Sequence, residues 1–535
     1  MQDPQEDQVY DFGLFLLNKI LLQTGKSLAL CPDMPLVAGD WEGLIGNRFI
    51  AEQRDYDPVQ EMQKAAQDVA RLNQGQKAAH DQILRSALTR DAQGKPRGKM
   101  FFVSGSGGVG KSFTWNTLIH SSRGHRLIVL SVASSAMAAL ILIDGRTAHS
   151  MLGIPIPINE ASFSHIKKNS EKADMLRQTS LIIWDEAAMQ SRLAIEAVDR
   201  SLRDFLDQPD LPFGGITVAF GGDFQQTLPI IPKGTKEDII GACLQRSILW
   251  QKIKVLHLTE NMRVDRNDPQ STRFAEWLQS VGEGKDLPLN HVFSLPQHMV
   301  CGPDIADLIQ EIYPGIANAV PAQDAYFLER GILCPRNTEV NEINALVYRQ
   351  FPGEGQVFHC ADAVKGSEDG DQYPVEYLNS IDIASLPPPH LEVKPGVPLM
   401  LLRNMDQRQG LCNGTRLRLV RMKNRVLEVR IITGPHAGET AFIPRITIAA
   451  SDGELPFELH RRQFPVRLAF AMTINKAQGQ SLGRVGLDLR YPVFGHGQFY
   501  VGVSRGTNWN RVKVLLERGV KTTNIVYKDI LLRAP

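Results

Sequence analysis

Between Lys99 and Leu258 the chain carries five short runs with almost no polar interruption: KMFFV (99–103), RLIVL (126–130), SLIIW (180–184), ITVAF (216–220) and KVLHL (254–258). Half-exposed strands alternate apolar and polar residues. Runs without that alternation are buried on both faces, the habit of a parallel sheet covered by helices. The pattern predicts an α/β domain over 71–325. One more polar stretch, PIPINEASFSHIKKNSEKADMLRQ (155–178), interrupts it and is expected to leave the sheet as a small insertion. Residues 1–70 hold one apolar helix pattern, VYDFGLFLLNKILLQTG, and loop; no role is readable there.

A second set of apolar runs follows: GILCP (331–335), VRLAF (466–470), VGLDL (485–489) and VKVLL (512–516). These predict a second parallel-sheet domain built from 326–345 and 466–535. The material between them differs. EDGDQYP and SLPPPHLEVKPG are turn-rich, and TRLRLVRMKNRVLEVRII alternates apolar with basic residues, as half-exposed antiparallel strands do. A β-rich module over 346–465 is therefore expected as an insertion in the second domain.

Composition narrows the class. The 535 residues are 43% hydrophobic and 22% charged, ordinary for a folded protein. The net charge of +1 means that any nucleic-acid contact comes from local grooves, not a global field. Six scattered cysteines without a C-x-x-C pair argue against a zinc site or a disulfide framework and suit a reducing compartment. No apolar run reaches membrane-spanning length, and the first residues, MQDPQEDQ, are acidic. The expectation is an intracellular protein with no membrane partner, nuclear if its source is eukaryotic.

The chemistry starts at Gly105-Ser-Gly-Gly-Val-Gly-Lys-Ser112, which is G-x-x-x-x-G-K-[ST] between a strand and a helix. Gly105, Gly107, Gly108, Val109 and Gly110 turn backbone N–H groups toward phosphate oxygens. Lys111 supplies a cation, and the helix start adds partial positive charge. Ser112 can ligate Mg²⁺. In SLIIWDEAAM, Asp185 ends a strand where a carboxylate reaches Mg²⁺ through water, and Glu186 is placed to polarise the attacking water. The expected fuel is ATP with Mg²⁺. Ligands of open parallel sheets bind at the carboxyl ends of strands, and FGGDFQQTLPI follows such a strand. Gln226 is expected to sense the γ-phosphate with an uncharged amide.

Read in order, LNQGQ, GSGGVGKS, GRTAHSMLGIP, WDEAAM, QSRLAIEAVDRSLRDF, GGDFQQTLP, LTENMR, ILCPRNTEVNEIN, VPLMLLRNMDQRQGLCNGTRL, AMTINKAQGQSL and GHGQFYVGVSR resemble the motif series of superfamily 1B DNA helicases. The branch is Pif1-like, and the series is most similar to the helicase part of Helitron transposon proteins. The resemblance covers about residues 70–520. It implies two RecA-like domains, with 155–178 as a wedge that splits duplex and 346–465 as an SH3-like module roofing the strand. It implies that Gln76 reads the adenine edge, and that Arg263 and Arg505 reach the γ-phosphate from two sides. It also implies that Thr147, His149, Asn337, Thr473, Asn475 and Lys476 touch single-stranded DNA, and that Gln478 and Gly479 link strand to nucleotide. Two departures stand out. Many Pif1 relatives carry His at the place of Asn475, and the H-x-H of the replication-initiator nuclease is absent.

The implied activity is ATP-dependent, DNA-stimulated unwinding with 5′ to 3′ movement. The partners are single-stranded DNA and forked duplex, with the protein monomeric on DNA. DNA repair, recombination and telomere maintenance are the implied settings. Two other readings stay open: a catalytically dead DNA-binding remnant of a transposon, and a P-loop ATPase that remodels protein.

Overall fold

The five apolar runs become parallel strands of one sheet in the computed structural model of the chain. It describes residues 6–23, 27–31, 34–39, 41, 46–262, 268–285, 287–288, 291–317, 324–365, 373–381, 383, 386–450 and 455–532. The strands are β1 (Met100–Ser104), β2 (Ile128–Ala133), β3 (Arg146–Thr147), β4 (Thr179–Asp185), β5 (Thr217–Gly222) and β6 (Ile253–His257). Their order is β3-β2-β4-β5-β1-β6, every pair parallel. Both faces are covered, which explains the missing alternation. On one face Phe102, Trp184 and Phe220 pack with Ile195, Val198 and Leu202 of helix Arg192–Phe205. On the other, Phe101, Val103 and Ile183 pack with Ile83 and Trp115. Burying one such side chain is worth roughly 1.5–3 kcal/mol.

Strand order decides what stands at the centre of the carboxyl edge. β5 lies between β4, which ends at Asp185, and β1, which leads into the glycine loop. The loop after β5 is therefore delivered between the two chemical motifs.

The second sheet contains β7 (Arg330–Cys334), β8 (Ala471–Thr473), β9 (Arg484–Leu489) and β10 (Val512–Leu516). Its order is β8-β7-β9-β10, all parallel. The α/β architecture of two RecA-like sheets is present, with a five-stranded and a three-stranded antiparallel sheet between β7 and β8.

Four details differ from the sequence expectation. The first concerns the span 71–325. Phe274 and Val281 of helix Pro269–Glu283 bury against Val485, Leu487 and Val512, so the chain has crossed to the second sheet well before residue 325. Second, VRLAF is split. Val466–Leu468 pairs antiparallel with Pro398–Leu401 in the inserted module, and only Ala471–Thr473 joins the parallel sheet. Third, helix Asn337–Gln350 runs through the expected boundary at 345/346. Fourth, the stretch 155–178 is not wholly an excursion. Helix Glu171–Gln178 buries Ala173, Met175 and Leu176 in the core with Trp184, while Ile156 is 81% exposed.

Within 1–70, helix Glu6–Gln23 contains the predicted apolar pattern as far as Gln23, and the pattern's last two positions, 24 and 25, lie outside the described residues. Helix Pro58–Val69 lies on the helix that follows the glycine loop: Glu61 Oε2 and His120 Nδ1 are 2.7 Å apart. No helix among the described residues is long and apolar enough to cross a membrane.

Candidate functional site

The glycine loop joins β1 to helix α1 (Lys111–Gly124). Gly108 (φ +97°) and Gly110 (φ +79°) hold left-handed backbone, which L side chains rarely adopt. Gly110 has a second reason to be glycine: a Cβ there lies 2.4 Å from Gln76 Nε2. Gln76 is built into the loop. Its Nε2 donates to the Val109 carbonyl at 2.9 Å, and its Oε1 accepts from the Asn73 N–H at 3.0 Å in a capping box. Gln76, expected to face adenine, here braces the loop. Lys111 Nζ donates to the carbonyls of Gly105 and Ser106, and Ser112 follows at the first turn of α1.

Asp185 ends β4, is buried, and accepts from Trp115 Nε1 at 3.1 Å. The space beside it exists because residue 221 lacks a side chain: a Cβ on Gly221 lies 2.6 Å from Asp185 Oδ1. Glu186 adopts φ +52°, ψ +34°. For a residue with a Cβ this conformation costs of order 1–3 kcal/mol, and such strain gathers at functional sites. Burial and then the Asp185 carboxylate push the Glu186 carboxyl up to about 7; Lys111 and Arg505 pull it partly back. A carboxyl poised there can exchange a proton at neutral pH.

The loop after β5 supplies residues that sequence reasoning passed over. Asp223 is buried and accepts from the Gln225 N–H (3.0 Å), Gln226 Nε2 (3.3 Å) and the Tyr500 hydroxyl (3.3 Å). Burial raises its pKa, and Lys111 opposes that rise. Thr227 Oγ1 donates to Gln478 Oε1 at 2.6 Å, and Gln478 Nε2 reaches Glu186 Oε2 at 3.5 Å. Asp223, Thr227 and Tyr500 all lie inside quoted motifs, so adjacency to Gln226 and Arg505 was their only signal. Among the described residues the Oε1 atoms of Gln225 and Gln226 are buried without a partner. A glycine cradle, a lysine, a serine, two carboxylates and an orphaned amide acceptor fit a nucleoside triphosphate with Mg²⁺ and water.

Arg505 is buried on the far side of the seam. Its Nε donates to Val501 O and its Nη1 to Gln480 O, each at 2.9 Å. Arg263 lies outside the described residues. Its neighbour Met262 donates its N–H to Gly108 O at 2.9 Å, so the segment reaches the glycine loop.

The six expected strand-contacting residues stand at the carboxyl ends of strands. Thr147 ends β3, and His149 follows in the helix Ala148–Leu152, its pKa lowered by burial. Asn337 opens the helix after β7 and is exposed, while Thr473 ends β8. Asn475 and Lys476 sit in the turn Ile474–Ala477, immediately before Gln478 and Gly479. Asn475 Oδ1 accepts from Gln498 Nε2 at 3.5 Å. Burial, aided by Arg467, lowers the Lys476 ammonium to about 8.

Residues 71–290 match the family model for PIF1-like helicase, and residues 376–422 match that for the 2B domain of DNA helicase Pif1. The chain is 26% identical over 471 residues to ATP-dependent DNA helicase Pif1 of Psychrobacter sp. (strain PRwf-1), covering 78% of this chain and 66% of that protein. It is 29% identical over 472 residues to ATP-dependent DNA helicase PIF1 of Danio rerio, covering 86% and 64%. The chain thus spans somewhat less than two thirds of the length of these relatives. Among solved structures, Bacteroides Pif1 bound to ssDNA superposes with a TM-score of 0.60 at 22% identity, over 86% of this chain and 94% of that one. A structure of two coordinating Pif1 helicases at forked dsDNA gives 0.58 at 21% identity, over 86% and 94%. These matches make residues 71–290 similar to PIF1-like helicases and residues 376–422 similar to the Pif1 2B domain.

Proposed function

We propose that the chain is an ATP-dependent DNA helicase that moves 5′ to 3′ along single-stranded DNA and opens forked duplex, acting as a monomer. The observation that carries this reading is Gln478. It stands two residues beyond Lys476, at the expected DNA contact, and bonds to both Glu186 and Thr227 at the nucleotide side. One side chain thereby touches both halves of a motor.

When bound, ATP·Mg²⁺ supplies the transferable phosphoryl group and a Lewis acid on its oxygens. Ser112 and Asp185 are the oxygen donors that would hold the metal. Lys111 exchanges its carbonyl partners for phosphate. Glu186 orients the attacking water and takes its proton, and Gln226 presents its unpartnered Oε1 to that water. Arg505, with Arg263, stabilises developing charge, a role worth about 10³ to 10⁵ in rate. Thr147 and His149 hold the strand on one domain, and Asn337, Thr473, Asn475 and Lys476 on the other. Alternation between these grips turns cleft closure into a step. Gln76 tightens or loosens the glycine loop according to the base above it.

The Asn475 form of the motif supports kinship with the Helitron branch. A DNA substrate makes the protein intracellular, and nuclear in a eukaryotic source. The test is ATPase rate against single-stranded DNA concentration at two salts, with unwinding of forks bearing only a 5′ or only a 3′ tail. Strong stimulation, weakened by salt with a logarithmic slope of about −0.7 per phosphate contacted, and unwinding from the 5′ tail are expected. DNA-independent turnover returns the protein-remodelling reading, absence of turnover the remnant reading, and unwinding solely from a 3′ tail removes the polarity.

A further inference from the structure

The loop Asp223–Thr227 is gripped along its length by the second domain. Tyr500 donates to Asp223, and Gln478 accepts from Thr227. Between them, His496 Nε2 lies 2.8 Å from the Phe224 carbonyl oxygen. Gly497 lies so close that a Cβ there meets Gln225 O at 2.5 Å. Tyr500 and Gln478 bond to side chains of the loop, and Gly497 crowds its main chain without a side chain of its own. His496 bonds to the loop's main chain, whatever the loop's side chains do.

The imidazole is fixed from both sides. The Tyr527 N–H donates to His496 Nδ1 at 2.8 Å, so Nδ1 carries no proton and Nε2 carries the hydrogen given to Phe224. A neutral imidazole sets one acceptor and one donor on a rigid ring, which an amide cannot do in the same geometry. His496 is buried, and burial drives its pKa down to about 4, so the neutral form persists. Tyr527 belongs to a C-terminal strap. Asn524 Nδ2 donates to Val281 O at 2.8 Å on the second domain, and Ile530 is buried in the first-domain core. Ile530 O accepts from Gln245 Nε2 at 2.8 Å. His496 therefore stands where the loop, the second domain and the strap meet.

We infer that His496 is a positioning residue of the motor: by holding the Phe224 carbonyl it sets where the Gln225 and Gln226 amides stand, and it carries movement of the second domain to them. This rests on the helicase reading for its consequence and on geometry alone for its placement. The variants His496→Gln and His496→Asn separate the two ends of the ring. Gln keeps a donor at about the reach of Nε2; Asn keeps an acceptor near Nδ1 and loses Phe224. ATPase is measured with and without a dT oligonucleotide. His496→Asn should lower the ratio of dT-stimulated to DNA-free kcat about 10-fold, the loss of one buried hydrogen bond, with KM for ATP little changed. His496→Gln should retain most of the ratio. Hydrogen exchange of a peptide spanning 220–230, without nucleotide or DNA, should speed up in His496→Asn and not in His496→Gln. Equal exchange in the two variants, or a shared loss in kcat and KM, overturns the inference. A wild-type protein that ignores dT overturns the helicase reading alone, and the exchange comparison still decides His496.

Discussion

Thr227 Oγ1 donates to Gln478 Oε1 at 2.6 Å, joining residues 251 positions apart across the seam between the two parallel sheets. Both side chains are buried. Thr227→Val leaves the Gln478 oxygen facing a methyl group, at a cost of about 1–2 kcal/mol, roughly 5- to 30-fold. The expected outcome is a loss of that size in DNA-stimulated kcat. Adding Gln478→Leu also removes the contact with Glu186, yet the combined loss should be smaller than the sum of the two single losses, because both variants remove the same bond. Strictly additive losses in the double-mutant cycle contradict this.

Lys111 and Arg505 approach the site from opposite domains and should fail differently. Lys111→Ala should abolish turnover while leaving single-stranded DNA binding, measured by fluorescence anisotropy, near wild type. Arg505→Ala should lower kcat by about 10³. Arg505→Lys should not restore it, since the ammonium lacks the planar fork that here spans Val501 O and Gln480 O.

Lys476 gives a pH dependence. Its ammonium is lowered to about 8 by burial and by Arg467, so the cation is present below that pH and lost above it. Affinity for single-stranded DNA should fall between pH 7 and pH 9. Lys476→Arg, always charged, should flatten the profile. An unchanged profile in that variant assigns the pH effect elsewhere.

Gly221 is the absent side chain that makes room for Asp185. In Gly221→Ala the new methyl lies 2.6 Å from Asp185 Oδ1 unless the carboxylate moves. The Mg²⁺ concentration for half-maximal ATPase should rise about 10-fold, the equivalent of roughly 1.4 kcal/mol. An unaltered Mg²⁺ titration rules out Asp185 as the displaced ligand.

Arg461 and Asp362 form a fully buried ion pair in the inserted module, Nη2 to Oδ2 at 2.7 Å, with further bonds to Ile381 O and Leu378 O. Removing one partner strands a charge, so Arg461→Met should destabilise the module by about 3–5 kcal/mol in calorimetry. Arg461→Met with Asp362→Leu should recover much of that loss. No recovery shows that the carbonyl bonds matter more than the ion pair.

The sequence by itself determined the elements whose signal is local. Unbroken apolar runs marked the strands of a twice-covered sheet. G-x-x-x-x-G-K-[ST] marked the loop at Lys111, because left-handed backbone at Gly108 and Gly110 demands glycine. The carboxylates at Asp185 and Glu186 were legible from their place at a strand end. Tertiary structure alone decided which sheet each buried run joins, because an apolar run records burial and not its neighbour. Hence helix Pro269–Glu283 lies on the second sheet and Val466–Leu468 lies in the antiparallel module. It alone put β5 between β4 and β1, and so centred the loop at Asp223. Contacts such as Tyr500 with Asp223 and His496 with Phe224 join residues more than 270 positions apart. A hydrogen bond across that distance leaves no period or spacing in the chain, so only packing could reveal it.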